Sequence, residues 1–156
     1  MSDKLESEVL CTMDVEIGAN HMVGDGPYGV RIIAVVTGGQ VKGEQISGRV
    51  LPVGADFLLT TKDGCGQIDV RAAIELDDGS IAYATYYGKL NLPAELGSAL
   101  ADPEKRAQID PSKYYFRTAP RFETGSRRYA WLNEYLFVGV GRLTEKGVSY
   151  TIHTLR

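Results

Sequence analysis

Residues 67–90 read Gln67-Ile68-Asp69-Val70-Arg71-Ala72-Ala73-Ile74-Glu75-Leu76, then Asp77-Asp78-Gly79-Ser80, then Ile81-Ala82-Tyr83-Ala84-Thr85-Tyr86-Tyr87-Gly88-Lys89-Leu90. Ile68, Val70, Ala72, Ile74 and Leu76 fall on one face, and Asp69, Arg71 and Glu75 on the other. Side chains that alternate with period two specify a strand. The Asp-Asp-Gly-Ser segment turns the chain back, and a strand from Ile81 to Leu90 pairs antiparallel with the first.

Downstream of this hairpin, residues 93–113 are rich in Ala, Leu, Glu, Lys and Arg, with Pro93 and Asp102-Pro103 as start signals. That composition predicts one short helical excursion near residues 94–110. Strands follow at Tyr114–Thr124, Arg128–Leu143 and Val148–Leu155. Upstream, Asp63-Gly64-Cys65-Gly66 forms a hairpin turn after a strand over Asp56–Lys62. Glu44–Leu51 is a short strand that Pro52-Val53-Gly54 ends. Tyr28–Thr37 is apolar on both faces except for Arg31, and Gly38, Gly39 and Gly43 mark the turn after it. Gly18–Pro27 reads as a glycine-rich loop, and Glu8–Glu16 as the first alternating strand.

The sum is an all-β protein: eight or nine antiparallel strands, in one domain over residues 8–156 after a flexible lead-in at 1–7. Turns at this spacing fit a sandwich or a barrel. A barrel of eight strands has room for one small ligand and leaves no exposed sheet edge. Whether the apolar or the polar face of the 67–76 strand lines the lumen is left open by the pattern.

Composition narrows the function. The chain has 156 residues and a net charge of -3, which argues against nucleic-acid binding, since neutralising phosphates needs clustered Lys and Arg. No apolar run is long enough to span a membrane, and the charged start Met1–Glu8 is unlike a signal peptide. A cytoplasmic protein with Cys11 and Cys65 as free thiols is expected. With two histidines and two isolated cysteines, no metal site is expected. The Gly24-Asp25-Gly26-Pro27-Tyr28-Gly29 run precedes a strand rather than a helix, unlike a phosphate loop. There is no Gly-x-Ser-x-Gly elbow.

Acid–base chemistry without a cofactor remains. Asp56 stands against Phe57, Leu58 and Leu59, and apolar walls raise a carboxylate pKa toward that of a general base. A capping role in a turn would use the same residue. Arg117 lies among aromatic residues and could hold a carboxylate or an enolate oxygen; an exposed strand arginine would read the same way. The Asn133 amide could polarise a carbonyl, or satisfy backbone groups. Tyr83 and Tyr86 could line a pocket, and Arg31 would need an anionic or carbonyl partner if turned inward. Asp69 and Arg71 could be site residues or exterior charges.

An ordered set of segments carries a resemblance. It comprises Gly29-Val30-Arg31, Thr37-Gly38-Gly39 with Gly43, Gly48-Arg49-Val50-Leu51-Pro52-Val53-Gly54-Ala55-Asp56-Phe57, Asp69-Val70-Arg71, Asp78-Gly79, Tyr115–Thr124 and Tyr129-Ala130-Trp131-Leu132-Asn133. From about Gly29 to the C-terminus the chain resembles the family of domain of unknown function 3237, also known as uncharacterised protein family 0311. Phe57 stands where that pattern has Trp, and Val53 where it has Gly. The resemblance implies a calycin-like barrel that self-associates, with Arg31, Asp56, Asp69, Arg117, Glu123, Trp131 and Asn133 at positions the family pattern singles out.

The resulting expectation is a cofactor-free lyase, isomerase, cyclase or hydrolase for a small, partly apolar carbonyl or aromatic substrate. Asp56, Arg117 and Asn133 are its catalytic residues. Arg31, Asp69, Tyr83, Tyr86, Glu123 and Trp131 bind substrate. The chain is expected to form a homo-oligomer, with a small molecule as its other partner. The alternatives are a barrel that binds such a ligand without turnover and an oligomer whose barrel is structural.

Overall fold

The computed structural model describes residues 3–156. Its eight strands are β1 (Ser7–Gly26), β2 (Gly29–Lys42), β3 (Gly48–Thr60), β4 (Gly66–Leu76), β5 (Ile81–Asn91), β6 (Tyr115–Thr124), β7 (Phe137–Leu143) and β8 (Gly147–Leu155). They form a closed antiparallel barrel in which each strand pairs with its sequence neighbours and β8 closes on β1. The alternation read in β4 holds in the structure. Its burial runs strictly inside–outside, and Ile68, Val70, Ala72, Ile74 and Leu76 are all buried. The apolar face therefore lines the lumen, and Asp69 and Arg71 lie outside.

The helical excursion joins β5 to β6 as a 3-10 segment over Ala94–Ala101 and a short helix α1 (Pro103–Gln108). The Asp102 side chain caps α1 by accepting from the backbone N–H groups of Glu104 and Lys105, and Pro103 sits in the first turn, where no N–H is needed.

Several boundaries differ from the sequence expectation. Gly38 and Gly39, expected to mark a turn after Thr37, lie inside β2, which runs to Lys42. Residues 18–26, read as a loop, continue β1 to Gly26, and the register shifts at Glu16/Ile17, Ile17/Asn20 and Met22/Gly24. Pro52-Val53-Gly54 does not end a strand but lies inside β3, where the β3–β4 register shifts between Val50 and Gly54. Gly54 has φ 91°, and a Cβ there would strike the Arg71 carbonyl. This glycine marks a bulge and a close backbone approach rather than a turn. A further difference is at Arg128–Leu136. Ala130–Asn133 forms a 3-10 turn, and β7 starts at Phe137.

The end of the barrel near the β4–β5 turn is closed by a polar cluster. Buried Tyr129 donates its hydroxyl to Asp77, Arg128 pairs with Asp77 at 3.4 Å, and Ser126 Oγ donates to Asp78 at 2.8 Å. These contacts tie the β4–β5 turn to the β6–β7 connection. In the middle of the barrel Tyr86, Phe116 and Tyr150 pack edge to face, with Tyr150 centroids 5.3 Å from Tyr86 and 5.5 Å from Phe116. The opposite end is left hollow.

Candidate functional site

The hollow end is a cavity of about 440 Å³. Asp56, Leu58, Val70, Tyr86, Phe116 and Tyr150 are among the residues that form its walls. Asp56 reaches the lumen because it pairs with Ala34 on β2 and Val70 on β4, both of them lumen-facing. Directly paired residues share a face. The bulge at Gly54 sets that register. One Asp56 carboxylate oxygen accepts the backbone N–H of Asp69 at 3.0 Å.

Electrostatics single this carboxyl out. Burial pushes the Asp56 pKa up to about 6, against the opposing pull of the Asp69 backbone N–H; the negative charge of Asp69 adds to the rise. The Tyr150 hydroxyl lies within hydrogen-bonding reach of Tyr86, and burial raises both phenols above their ordinary value, with the Asp56 charge contributing to each. One carboxyl and two phenols thus share a mostly apolar space. Among the described residues Arg106 is the one cation that lines the cavity. Its guanidinium is occupied by backbone carbonyls: Thr144 at 2.9 Å, Leu100 at 3.2 Å and Glu145 at 2.7 Å. Among the described residues Asp56 belongs to no ion pair, and the one charge that acts on its pKa is the negative charge of Asp69.

The cavity opens beside β1. The β1–β8 pairing ends at Glu16 with Gly147, and from Asn20 onward β1 pairs with β2 alone. Asn20 and Met22 edge the cavity on this side; Gly97, Leu100 and Ala101 of the 3-10 segment cover it. Arg106 holds that cover to the β7–β8 turn.

The other residues expected at the site lie elsewhere. Arg31, Asp69 and Arg117 line a second concavity, an open groove of about 520 Å³. Arg117 alternates with Phe116 and Thr118, which are buried, so its side chain is on the outer face. It donates to the Phe116 carbonyl at 2.9 Å and lies over the Tyr115 ring at 5.3 Å. Arg31 donates to the Phe57 carbonyl at 2.8 Å. Asp69 pairs with Arg71 at 3.2 Å. Tyr83 and Glu123 are cross-strand neighbours, both exposed on the outer face.

Asn133 is at the far end of the barrel from the cavity. Its side chain accepts the Thr124 N–H at 2.8 Å and donates to the Thr124 carbonyl at 2.9 Å, a two-point clamp on the end of β6. Trp131 sits half-buried in the same 3-10 turn. The structure thus brings Asp56 and Tyr86 together and separates them from Arg117 and Asn133.

Tyr150 and Arg106 were not legible as site residues. Tyr150 lies in the last strand between Ser149 and Thr151, and only the closure of β8 on β1 carries it to Tyr86. Among the described residues no group of three or more His, Cys, Asp or Glu could hold a metal ion. Cys11 is buried, and burial pushes its thiol up to about 12, which leaves it protonated and unreactive.

Known proteins share this architecture. A UPF0311 protein of Rhodopseudomonas palustris, RPA1785, is 42% identical over 139 residues, 89% of each chain. Its crystal structure, of a conserved protein of unknown function, superposes with a TM-score of 0.90 at 38% identity, covering 99% of this chain and 100% of that one. A β-barrel-like protein from Acinetobacter baumannii gives 0.85 at 33% identity, over 100% and 99% of the two chains. An enzyme from Penicillium herquei shares the fold at greater distance, with a TM-score of 0.73 and 18% identity over 100% and 98%. Residues 5–155 match the family described as a protein of unknown function, DUF3237. The chain, from Leu5 through the last strand, belongs to the DUF3237 family of UPF0311 proteins.

Proposed function

We propose that the lumen is a cofactor-independent acid–base site for a small, uncharged, partly apolar carbonyl or aromatic compound. The observation that carries this reading is the buried Asp56 carboxyl, in no ion pair, sharing one largely apolar cavity with the Tyr86 and Tyr150 phenols. A general base works best when its pKa lies near the working pH, and burial moves Asp56 toward that range. Asp56 takes a proton from substrate carbon or oxygen. A tyrosine hydroxyl donates to the oxygen on which negative charge develops, and Asp56 returns the proton at the end of the cycle. Lyase, isomerase and cyclase chemistry all need no more than this. The Asp56 charge disfavours anionic substrates, and Arg106, whose N–H groups are taken by backbone carbonyls, has few left to bind one.

A panel of neutral aromatic ketones and phenols, screened by thermal shift and then for turnover, tests the reading. A ligand held at 100 times its Kd adds about 2.7 kcal/mol to stability. With a turned-over compound in hand, Asp56→Asn is expected to abolish kcat and leave affinity within about tenfold. Equal loss of affinity and turnover, or saturable binding with no turnover of any compound, makes the lumen a carrier or sensor site instead.

A further inference from the structure

The open groove on the outer face is not part of the lumen chemistry, and its composition is different. Arg31, Phe57, Asp69, Tyr87, Tyr115 and Arg117 converge on it from β2, β3, β4, β5 and β6. Pairing explains the convergence. Arg31 opposes Leu59, Phe57 belongs to the same face two residues earlier, and Asp69 opposes Tyr87, which opposes Ala119. The groove is therefore a row of outward positions across adjacent strands, set by register.

Its charge is unusual for this protein. Arg31 and Arg117 each spend one nitrogen on a backbone carbonyl, and neither belongs to a salt bridge among the described residues. Lys89 lines the same groove and acts on Asp63 electrostatically. The one carboxylate lining the groove, Asp69, is held by Arg71 at 3.2 Å. A chain with net charge -3 thus gathers three cations around one concavity. Its walls are apolar and aromatic, with Tyr87 60% and Tyr115 51% exposed.

At its floor the wall is thin. Gly88 and Gly139 oppose Thr118 from both sides, and a Cβ at Gly88 would come within 2.7 Å of the Thr118 methyl. Thr118 is 4% exposed and turns its side chain to the barrel interior, on the same face of β6 as Phe116, so its backbone rather than its hydroxyl borders the groove.

We propose that this groove is a second binding site, separate from the lumen, for an organic anion: a carboxylate or phosphate carried on a flat apolar body. The guanidinium groups of Arg31 and Arg117 take the anion, since their planar N–H forks match its oxygens. Tyr87, Tyr115 and Phe57 take the apolar body.

The site is independent of the lumen reading and is tested by a matched pair of probes, 2-naphthoate and 2-naphthol. Calorimetric titration should show that the wild-type protein binds 2-naphthoate and that affinity weakens several-fold between 0.05 and 0.5 M salt, roughly the range over which screening becomes strong. Arg117→Gln is expected to weaken naphthoate binding by about tenfold or more, the size of one lost charge-assisted contact. Arg31→Lys, which keeps the charge and loses the fork, should weaken it by a smaller factor. Excess 2-naphthol should leave naphthoate bound. Displacement by 2-naphthol places the acid in the lumen and overturns the proposal. So does an Arg117→Gln affinity within twofold of wild type. A change of solution mass on Arg117→Gln, without naphthoate binding to either protein, assigns the groove to a second copy of the chain and overturns it equally.

Discussion

The two faces of the same barrel wall differ in how they treat charge. Inside, Asp56 is a lone carboxylate among apolar side chains, and burial carries its pKa to about 6. Outside, Asp69 sits on the neighbouring strand, paired with Arg71 and partly solvated. The two residues are linked by one hydrogen bond, from the Asp69 N–H to the Asp56 carboxylate, yet they belong to different physical environments. The acid–base chemistry proposed for the lumen rests on the inner side, because low dielectric and missing counter-charge are what shift a proton affinity. The anion recognition proposed for the groove rests on the outer side, where Arg31 and Arg117 keep N–H groups for a ligand.

The sharpest way to break this contrast is to move a charge across the wall by one strand position. Val70 faces the lumen beside Asp56, and Arg71 faces solvent. Val70→Asp is expected to destabilise by about 3–5 kcal/mol, the cost of an uncompensated buried charge. That is a large part of a typical total of about 5–15 kcal/mol. Arg71→Ala should cost under about 1 kcal/mol, because its ion pair is exposed. Urea unfolding of both variants checks this, and similar costs for the two would mean that the lumen is wet.

Asp56→Asn tests the inner side from the opposite direction. In the folded protein Asp56 titrates near 6, above the unfolded value of about 3.9. Between these values the folded state binds more protons than the unfolded state, so stability falls as pH rises through this window. About two pKa units at 1.36 kcal/mol each bound the penalty at roughly 3 kcal/mol above pH 7. Asn keeps an oxygen for the Asp69 N–H and carries no charge. The variant should therefore be more stable than wild type at pH 7.5, by up to several degrees in Tm, and should lose that advantage as pH falls toward 4. An advantage that does not change with pH would mean that Asp56 is not desolvated. A stability gain combined with lost turnover is the usual signature of a site that is costly to fold.

Tyr150→Phe is a smaller change. The ring packing against Tyr86 and Phe116 is kept, and one hydroxyl is removed. Turnover is expected to fall by about 10²-fold, the effect of one lost oxyanion donor, with a stability cost of about 1 kcal/mol. Measured kcat for Tyr86→Phe and for the double variant would show whether the two phenols act as a unit, since residues that do are strongly non-additive.

How much of this was legible in sequence depends on what kept period two intact. β4 and β5 were readable residue by residue, because neither contains a bulge and their register runs unbroken from Gly66–Leu90 to Glu75–Ile81. β1 and β2 were read as too short, and β3 as two strands broken at Pro52-Val53-Gly54. Their glycines look like turn residues, but Gly39 and Gly54 have positive φ inside strands, at register shifts where a Cβ would strike the backbone opposite. Strands bent into a small barrel need such bulges, and a bulge and a turn share one vocabulary of residues. The run Tyr129–Asn133 failed for a different reason. Tyr129 and Leu132 are buried three residues apart, a helical spacing too short to stand out from an aromatic strand. That misreading placed Asn133 next to Arg117. Asp56 and Tyr86 line one cavity, but the pattern did not select them: Tyr83 was named beside Tyr86, and Asp56 was singled out by its apolar neighbours rather than by a count of inward positions. Tyr150 depended on barrel closure between the first and last strands, which no local pattern encodes.

The smallest effect crosses the wall. The negative charge of Asp69 contributes to the raised pKa of Asp56, behind burial and against its own backbone N–H. Asp69→Asn removes the charge and leaves the backbone hydrogen bond in place. The Asp56 pKa is then expected to move down from about 6, by less than burial raised it. Stability should change by under about 1 kcal/mol, since the lost Asp69–Arg71 pair is largely solvated. Carbon-detected NMR titration of the Asp56 carboxyl reads the displacement directly. A downward movement makes Asp69 a tuning residue that acts on the lumen from the outer surface, so that an anion bound in the groove would raise the Asp56 pKa by the same through-wall route. An unmoved pKa means that the wall screens the two faces completely, and the lumen and the groove are then electrostatically separate sites.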